Sequence, residues 1–179
     1  RNPETARLLF RPDGSAPEPG THLVQKDLAR SLSRIARQGP KAFYEGRIAE
    51  SIVTAMAAGG GIMTLADLAA YRVANRKPVR GIYRGFEVIS MPPPSSGGVH
   101  IIQMLNVLHH FPVAATGAGS NQNIHWLAEV MKLAYADRSQ YLGDPDYFDV
   151  PVARLTGKAY AAQLAATIKP GRARPAVDI

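Results

Sequence analysis

One stretch of the sequence combines residue types that could do chemistry: Met91–His100, which runs Met-Pro-Pro-Pro-Ser-Ser-Gly-Gly-Val-His. Ser96 and His100 are four residues apart, so a helix would place them on one face, where such a pair can act as nucleophile and general base. The sequence identifies no third group that would orient the histidine. The pattern therefore favours the alternative, in which a serine caps a helix and the histidine is exposed.

The same stretch predicts a second kind of site. A strand-like segment precedes it and a helix-like segment follows it, and uncovered N–H groups at a helix N-terminus can bind an anion or a substrate carboxylate. The candidate substrate-binding residues are Ser95, Ser96, Gly97 and Gly98. The favoured interpretation is nevertheless a stiff corner between strand and helix, in which the two glycines allow a positive φ or the close approach of another segment.

Metal ions and cofactors are not predicted. Three aspartates occupy one turn, but the glycine and final glutamate of a calcium loop are missing, so turn and capping roles are favoured for Asp144, Asp146 and Asp149. His109 and His110 are adjacent and face different directions, and no His-Glu-x-x-His motif is present. The sequence contains no cysteine, which excludes disulfides and thiolate metal sites.

Three other residues, Asp137, Arg138 and Trp126, are expected to have structural roles. Asp137 and Arg138 are adjacent on a predicted helix, so each is expected to form a buried or half-buried ion pair with a separate element. Trp126 could be a platform for a substrate, but a single tryptophan on an amphipathic helix is more typical of a core.

Composition limits the class of protein. The chain has 179 residues, of which 46% are hydrophobic and 20% charged, as in a soluble globular domain with its own core. No apolar run is long enough to span a bilayer. The net charge of +7 raises the possibility of a nucleic-acid partner, with a basic stripe formed by Arg30, Arg34, Arg37 and Lys41. No aromatic RNA-binding motif accompanies the stripe, so a solvated helix face is predicted and no nucleic acid.

The elements that position these residues are mostly helical. Apolar periodicity predicts helices over residues 23–38, 45–58, 65–71, 101–111, 121–141 and 157–168. Two strands, Val79–Tyr83 and Phe86–Ser90, are predicted around Arg84-Gly85. Residues 1–22 are expected to form an irregular arm, and residues 169–179 a linker or disordered tail. The chain opens at Arg1 without a signal peptide, so residue 1 is expected to be an internal cut, a processed end or an artificial boundary.

Four blocks occur in a fixed order: Gly39–Gly46, Leu65–Tyr71, Met91–Gly98 and Leu133–Pro145. Together they resemble the C-terminal part of the large subunit of gamma-glutamyltranspeptidases. The resemblance implies an α/β (α+β) fold class: a mostly helical fragment of an N-terminal-nucleophile hydrolase α/β/β/α sandwich, with a short antiparallel strand pair. It assigns residues 23–168 to this large-subunit segment.

The resemblance also implies a function. Members of the family transfer or hydrolyse a gamma-glutamyl group, as in glutathione hydrolysis, after self-cleavage of a precursor. Their nucleophilic threonine would lie beyond Ile179, and the arginine that binds the glutamyl carboxylate would precede Arg1. No catalytic residue is therefore assigned, and the fragment alone is expected to be inactive. The implied partners are the remainder of the large subunit, the small subunit and a small gamma-glutamyl substrate, in a periplasmic or secreted location.

Two alternatives remain open. A related β-lactam side-chain acylase, of the cephalosporin acylase kind, would share this scaffold and differ mainly in residues outside the chain. A non-enzymatic helical binding module for acidic partners is the third possibility. The flanking sequence separates them, because both enzymes require a threonine or serine immediately after a cleavage site.

Overall fold

The computed structural model describes residues 3–179 and divides into two compact units, Arg1–Ala74 and Asn75–Ile179. Arg1 and Asn2, the first residues of the predicted N-terminal arm, lie outside the described residues. The two units are considered separately below.

The first unit is helical. Its helices are α1 (Pro3–Leu9), α2 (Lys26–Gln38), α3 (Lys41–Tyr44), α4 (Arg47–Ala58) and α5 (Leu65–Ala70). The prediction of an irregular arm over residues 1–22 is wrong for α1. That helix begins at a proline, which suits the first helical turn, and it has Glu4 near its N-terminus and Arg7 near its C-terminus, the arrangement that the helix dipole favours.

Helix α5 begins with a capping box formed by Thr64 and Asp67. The backbone N–H of Asp67 donates to the Thr64 hydroxyl at 3.2 Å, and the Thr64 N–H donates to the Asp67 carboxylate at 2.8 Å. The end of α5 is fixed by an aromatic stack, since the rings of Tyr44 and Tyr71 lie 5.2 Å apart and are tilted by only 8°. The stack of the two tyrosines joins α3 to the end of α5.

The apolar face of α2 is not buried within the described residues. Its apolar spacing predicts an inward face, yet Val24, Leu28 and Leu32 are 48–66% exposed. Among the described residues of this unit, Ala42 and Ala49 are buried. The helix also begins later than predicted, at Lys26, and Gln25 is its N-terminal flanking residue.

The second unit begins with a β-hairpin. Strands β1 (Val79–Tyr83) and β2 (Phe86–Ser90) are antiparallel, with Tyr83 opposite Phe86, so two residues form the loop. Arg84 has φ 49° and Gly85 has φ 87°, which is the pair of positive φ angles that a type I′ turn requires. Both strands have the bounds that the sequence predicts.

Helix α6 (Ser96–Leu108) lies at the centre of the second unit, in contact with the hairpin, α7 (Asn121–Tyr141), α8 (Val152–Leu155) and α9 (Lys158–Thr167). The core is formed by apolar residues of α6, α7 and α9 and the residue that follows α9: Val107, Trp126, Val130, Leu133, Ala161, Ala165 and Ile168. Short 3₁₀ turns occur at Val113–Ala115 and Ala176–Asp178.

Helices α6, α8 and α9 differ from the prediction. Helix α6 begins at Ser96 instead of Ile101, because Ser95 caps it and its first turn includes the two glycines, and it ends at Leu108 instead of Phe111. Helix α8 was not predicted, since four residues are too short to show periodicity. Helix α9 begins at Lys158 after Gly157, and the Thr156 hydroxyl donates to the carbonyl of Val152 at 2.8 Å, at the end of α8.

The prediction of a linker or disordered tail over residues 169–179 is wrong. The tail lies along α7: His125 donates to the carbonyl of Lys169 at 3.0 Å, and the N–H of Arg174 donates to Glu129 at 3.1 Å. Ile179 packs against the core. The tail lacks apolar periodicity, so nothing in its own sequence indicates this docking, which depends on groups of α7 that are more than 40 residues away in the chain.

Two glycines allow α6 and the hairpin to approach closely. A Cβ added at Gly98 would lie 2.2 Å from the carbonyl oxygen of Met91 and 2.5 Å from a methyl of Val79. A Cβ at Gly81 of β1 would lie 2.7 Å from a methyl of Ile102. Gly97 differs, because a Cβ there would meet only the Ser95 hydroxyl, at 3.5 Å. Neither Gly97 nor Gly98 has a positive φ.

This difference predicts opposite effects of two neighbouring substitutions. Gly98→Ala should destabilise the protein by about 1–3 kcal/mol, because the methyl group collides with backbone that must move. Gly97→Ala should be neutral or stabilising by up to about 1 kcal/mol, as alanine is the better helix former. Chemical denaturation of wild type and both variants measures the two changes. Equal destabilisation by both would contradict the packing explanation.

Candidate functional site

The turn between β2 and α6 is organised by its first serine. The hydroxyl of Ser95 accepts a hydrogen bond from the N–H of Gly97 at 3.3 Å, as an N-cap does. Ser96 is the first residue of α6, and both serines are partly buried. Gly98 is buried against Met91 and Val79. Of the four candidate residues, Ser95 and Gly98 thus have structural contacts that account for them.

His100 is buried, which corrects the expectation of an exposed histidine. Only 6% of the residue is accessible, and its Nδ1 is 2.9 Å from the Oε1 of Gln103. Within residues 3–179, the buried Nε2 has no hydrogen-bond partner, so no bond joins it to Ser96. The serine–histidine pair, the less favoured interpretation of the sequence, is therefore not assembled in this structure.

A buried carboxylate lies at the other end of this contact. The Nε2 of Gln103 donates to Asp137 of α7, and the hydroxyl of Tyr160 of α9 donates to both carboxylate oxygens, at 2.9 and 3.0 Å. Asp137 is thus tied to two other helices, as expected, but by neutral donors. The expectation of an ion pair is wrong for it. The Arg138 guanidinium instead lies over the ring of Tyr135 on the same helix, at 5.9 Å.

This chain of hydrogen bonds assigns the hydrogen between His100 and Gln103. An ionised carboxylate only accepts hydrogen bonds, so Gln103 presents its NH₂ to Asp137 and its oxygen to the histidine. Nδ1 of His100 then carries a hydrogen and donates it to the Oε1 of Gln103. Among the described residues the buried Nε2 has no hydrogen-bond partner, so the arrangement orients side chains and does not form a catalytic pair.

Tyr160 is held at a high pKa by this environment. Burial and then the hydrogen bond to Asp137 raise the pKa of Tyr160 to about 12. The guanidinium of Arg154 lies over the ring of Tyr160 at 4.7 Å and over that of Tyr141 at 4.9 Å. The network therefore extends from His100 of α6, through α7 and α9, to an arginine between two aromatic rings.

Gln103 and Tyr160 were not singled out from the sequence. Gln103 follows His100 by three residues, a spacing that places both on one face of a helix, and this was the available local signal. Tyr160 is 23 residues from Asp137, and Gln103 is 34 residues from it. Pairs at such separations become visible only when the helices pack.

The remaining candidates have structural partners. Arg76 donates to Asp146 at 2.7 Å and lies 3.7 Å from Asp144, so the acidic turn faces a guanidinium. Trp126 is a core residue stacked on Phe111 at 5.3 Å, in agreement with the favoured interpretation. Residues 3–179 contain no cluster of three metal-ligating side chains and no helix that is long and apolar enough to cross a membrane.

The chain matches a known family over almost its whole length. The family described as gamma-glutamyltranspeptidase matches residues 1–178. A glutathione hydrolase proenzyme of Escherichia coli is 48% identical over 178 residues, covering 99% of this chain and 31% of the relative. An acylase ACY 1 proenzyme of a Pseudomonas species is also 48% identical, over 174 residues, covering 97% of this chain and 31% of that relative.

A solved structure has the same fold. The crystal structure of Helicobacter pylori gamma-glutamyltranspeptidase is similar with a TM-score of 0.84 and 47% identity, covering 99% of this chain and 51% of that one. This likeness confirms the predicted fold class, a mostly helical piece of an N-terminal-nucleophile hydrolase with one antiparallel strand pair. The chain spans about a third of the length of these two curated relatives.

The Tyr160–Asp137 bond predicts an alkaline loss of stability. Since the folded-state pKa is about 12, above the ordinary value of 10.0, the folded state binds more protons between these values. Stability should be complete below pH 10 and fall as the pH rises toward 12. Tyr160→Phe should remove this component and, by leaving Asp137 with fewer donors, cost about 1–3 kcal/mol below pH 10.

Denaturation midpoints measured from pH 8 to pH 11.5 test this expectation. Tyr147→Phe is the matched control, because Tyr147 is 91% exposed and makes no side-chain hydrogen bond among the described residues. An alkaline slope that is the same in wild type and Tyr160→Phe would show that Tyr160 does not carry the effect.

Proposed function

The chain belongs to the gamma-glutamyltranspeptidase family, and we propose that it is the C-terminal part of the large subunit of a gamma-glutamyltransferase or glutathione hydrolase. The observation that carries this proposal is the match of residues 1–178 to the family, together with 48% identity to a glutathione hydrolase proenzyme. The whole protein would transfer a gamma-glutamyl group to an acceptor or to water.

In this proposal the chain supplies scaffold, and the catalytic groups lie outside it. The nucleophile would be a threonine that becomes the first residue of the small subunit after self-cleavage, with its own α-amine as the base. Backbone N–H groups near it would stabilise the tetrahedral oxyanion. The absence of an assembled serine–histidine pair in residues 3–179 supports a nucleophile elsewhere.

An acylase acting on β-lactam side chains is the second candidate. The observation that favours it is the acylase ACY 1 proenzyme, which is as similar to this chain as the glutathione hydrolase is, at 48% identity. Both functions would use the same scaffold. The substrate preference would then depend on residues outside this chain.

The proposed partners are the remainder of the large subunit and the small subunit of the same precursor. Two apolar surfaces support this. The apolar face of α2 is exposed in the first unit, and in the second unit the hairpin face turned away from α6 exposes Ile82 by 63% and Ile89 by 52%. Exposed apolar patches of this kind are typical of surfaces that are covered in the complete protein.

We also propose a periplasmic or secreted location, by analogy with the family. Fractionation of cells that express the complete gene from its own start codon would test the location.

For the turn between β2 and α6 we propose an architectural role. The close contact of Gly98 with the backbone of Met91 and the capping bond of Ser95 account for two of its residues without a substrate.

The main test compares this chain with the complete protein. Full-length protein that has matured should release the aniline from a gamma-glutamyl anilide and hydrolyse glutathione, whereas residues 1–179 alone should show no turnover. The reason is that the proposed nucleophile is missing from the fragment. The absorbance of the released aniline measures turnover of the anilide by the full-length protein and by the fragment.

A glutaryl-substituted cephalosporin is the matched competing substrate. Faster turnover of this compound than of the gamma-glutamyl anilide would favour the acylase candidate. Turnover by the fragment that survives substitution of Ser95, Ser96 and His100 would contradict the proposal that the nucleophile lies outside it.

A further inference from the structure

The polar side of α7 binds the tail, residues 169–179, through main-chain groups. His125, Glu129 and Lys132 are at positions i, i+4 and i+7 of the helix and therefore form one stripe. The Nε2 of His125 donates to the carbonyl of Lys169 at 3.0 Å. Farther along α7, the stripe binds the backbone N–H and the backbone carbonyl of Arg174 in the tail.

Two hydrogen bonds from α7 fix the backbone of Arg174. Its backbone N–H donates to the Oε1 of Glu129 at 3.1 Å, and its carbonyl accepts from the Nζ of Lys132. Lys132 also donates to Glu129, which closes a ring of three hydrogen bonds. Because the N–H precedes the C=O along the chain and the two groups meet different side chains of α7, this double contact fixes the direction of the tail as well as its position.

The carboxylate in this ring is unusually buried for a helix-surface pair. Glu129 is 2% exposed, and a buried carboxylate costs free energy unless hydrogen bonds and a partner charge compensate it. Burial by itself would raise the pKa of Glu129, but the bonds from Lys132 and from the N–H of Arg174 lower the pKa below its ordinary value. An ion pair at an exposed position of α7 would have stabilised the helix slightly without burying a carboxylate.

The tail does not end loosely. After Arg174 it forms a 3₁₀ turn, Ala176–Asp178, in which the N–H of Asp178 donates to the carbonyl of Pro175 at 3.1 Å. The next residue, Ile179, packs against the core. The stripe, the turn and Ile179 together determine where the chain leaves the second unit.

We propose that His125, Glu129 and Lys132 are positioning residues for self-cleavage of the precursor, an inference that rests on the proposed function. In that step the peptide bond before the nucleophile is hydrolysed: one water is consumed, the C–N bond breaks, and a carboxylate and a free α-amine form. The attacking hydroxyl must lie close to the carbonyl carbon, so the segment after Ile179 has to be delivered accurately. The stripe restrains the start of that segment.

The test follows maturation of the full-length precursor by gel electrophoresis after a pulse of synthesis. Lys132→Met and Glu129→Leu should lengthen the half-time of self-cleavage about tenfold or more, because small misplacements of reacting groups have effects of this size. Lys132→Arg, which keeps a donor to the carbonyl of Arg174, should restore most of the rate. Molecules that have matured should keep their kcat and KM within about twofold of wild type, since the proposed role ends once the peptide bond has been cleaved.

Two controls separate positioning from general stability. Glu87→Gln removes an acid of an exposed ion pair in the same unit, 2.7 Å from Arg80, and should leave maturation unchanged. Ile102→Val removes a methylene from a buried residue of α6 and lowers stability without touching the tail. Cleavage rates are compared at temperatures equally far below each variant's Tm.

Hydrogen exchange of the Arg174 amide reports the contact directly. Its protection should be lost in Glu129→Leu and kept in Ile102→Val. Lost protection with wild-type cleavage rates would overturn the inference alone, as would equal slowing by Ile102→Val. A soluble wild-type precursor that neither cleaves nor turns over a gamma-glutamyl anilide would overturn the proposed function as well. If Glu129→Leu precipitates, Lys132→Met and Lys132→Arg decide between these outcomes.

Discussion

The second unit depends on one buried carboxylate. Asp137 of α7 has no cationic side chain bonded to it among the described residues, and its charge is compensated by the amide of Gln103 from α6 and the hydroxyl of Tyr160 from α9. An ionised group in such a place costs several kcal/mol unless its acceptor positions are filled. The three helices must therefore pack at distances that bring these donors together, and the apolar core beside them fills the space that remains.

The hairpin packs closely on this bundle because two glycines at the contact have no side chain. Gly81 on β1 and Gly98 on α6 let Ile102 and the carbonyl of Met91 approach to distances that a methyl group would prevent. The proline-serine-glycine turn is thus coupled to the helix bundle by sterics, while His100, two residues farther on, is coupled to Asp137 by hydrogen bonds. Both couplings act on α6, the helix that contacts the hairpin, α7, α8 and α9.

Local signals in the sequence were sufficient for the elements with strong periodicity or turn chemistry. The Arg84-Gly85 turn predicted both strands, and the repeat of apolar residues predicted Asn121–Tyr141 with its observed bounds. The tail and the partners of Asp137 could not be predicted, because they depend on contacts between residues 23 to 45 positions apart. The exposure of α2 was also missed, since periodicity indicates that a face will be covered but not which segment covers it.

The way α7 holds the tail has a consequence for how this region can evolve. The bonds from His125, Glu129 and Lys132 all go to carbonyl or N–H groups, which every residue type except proline provides in the same form. Selection on the path of the tail therefore falls on the helix, and the tail is free to accumulate substitutions at the exposed Lys169. Related sequences should vary at this position and exclude proline at position 174, while the three helix positions change together or not at all.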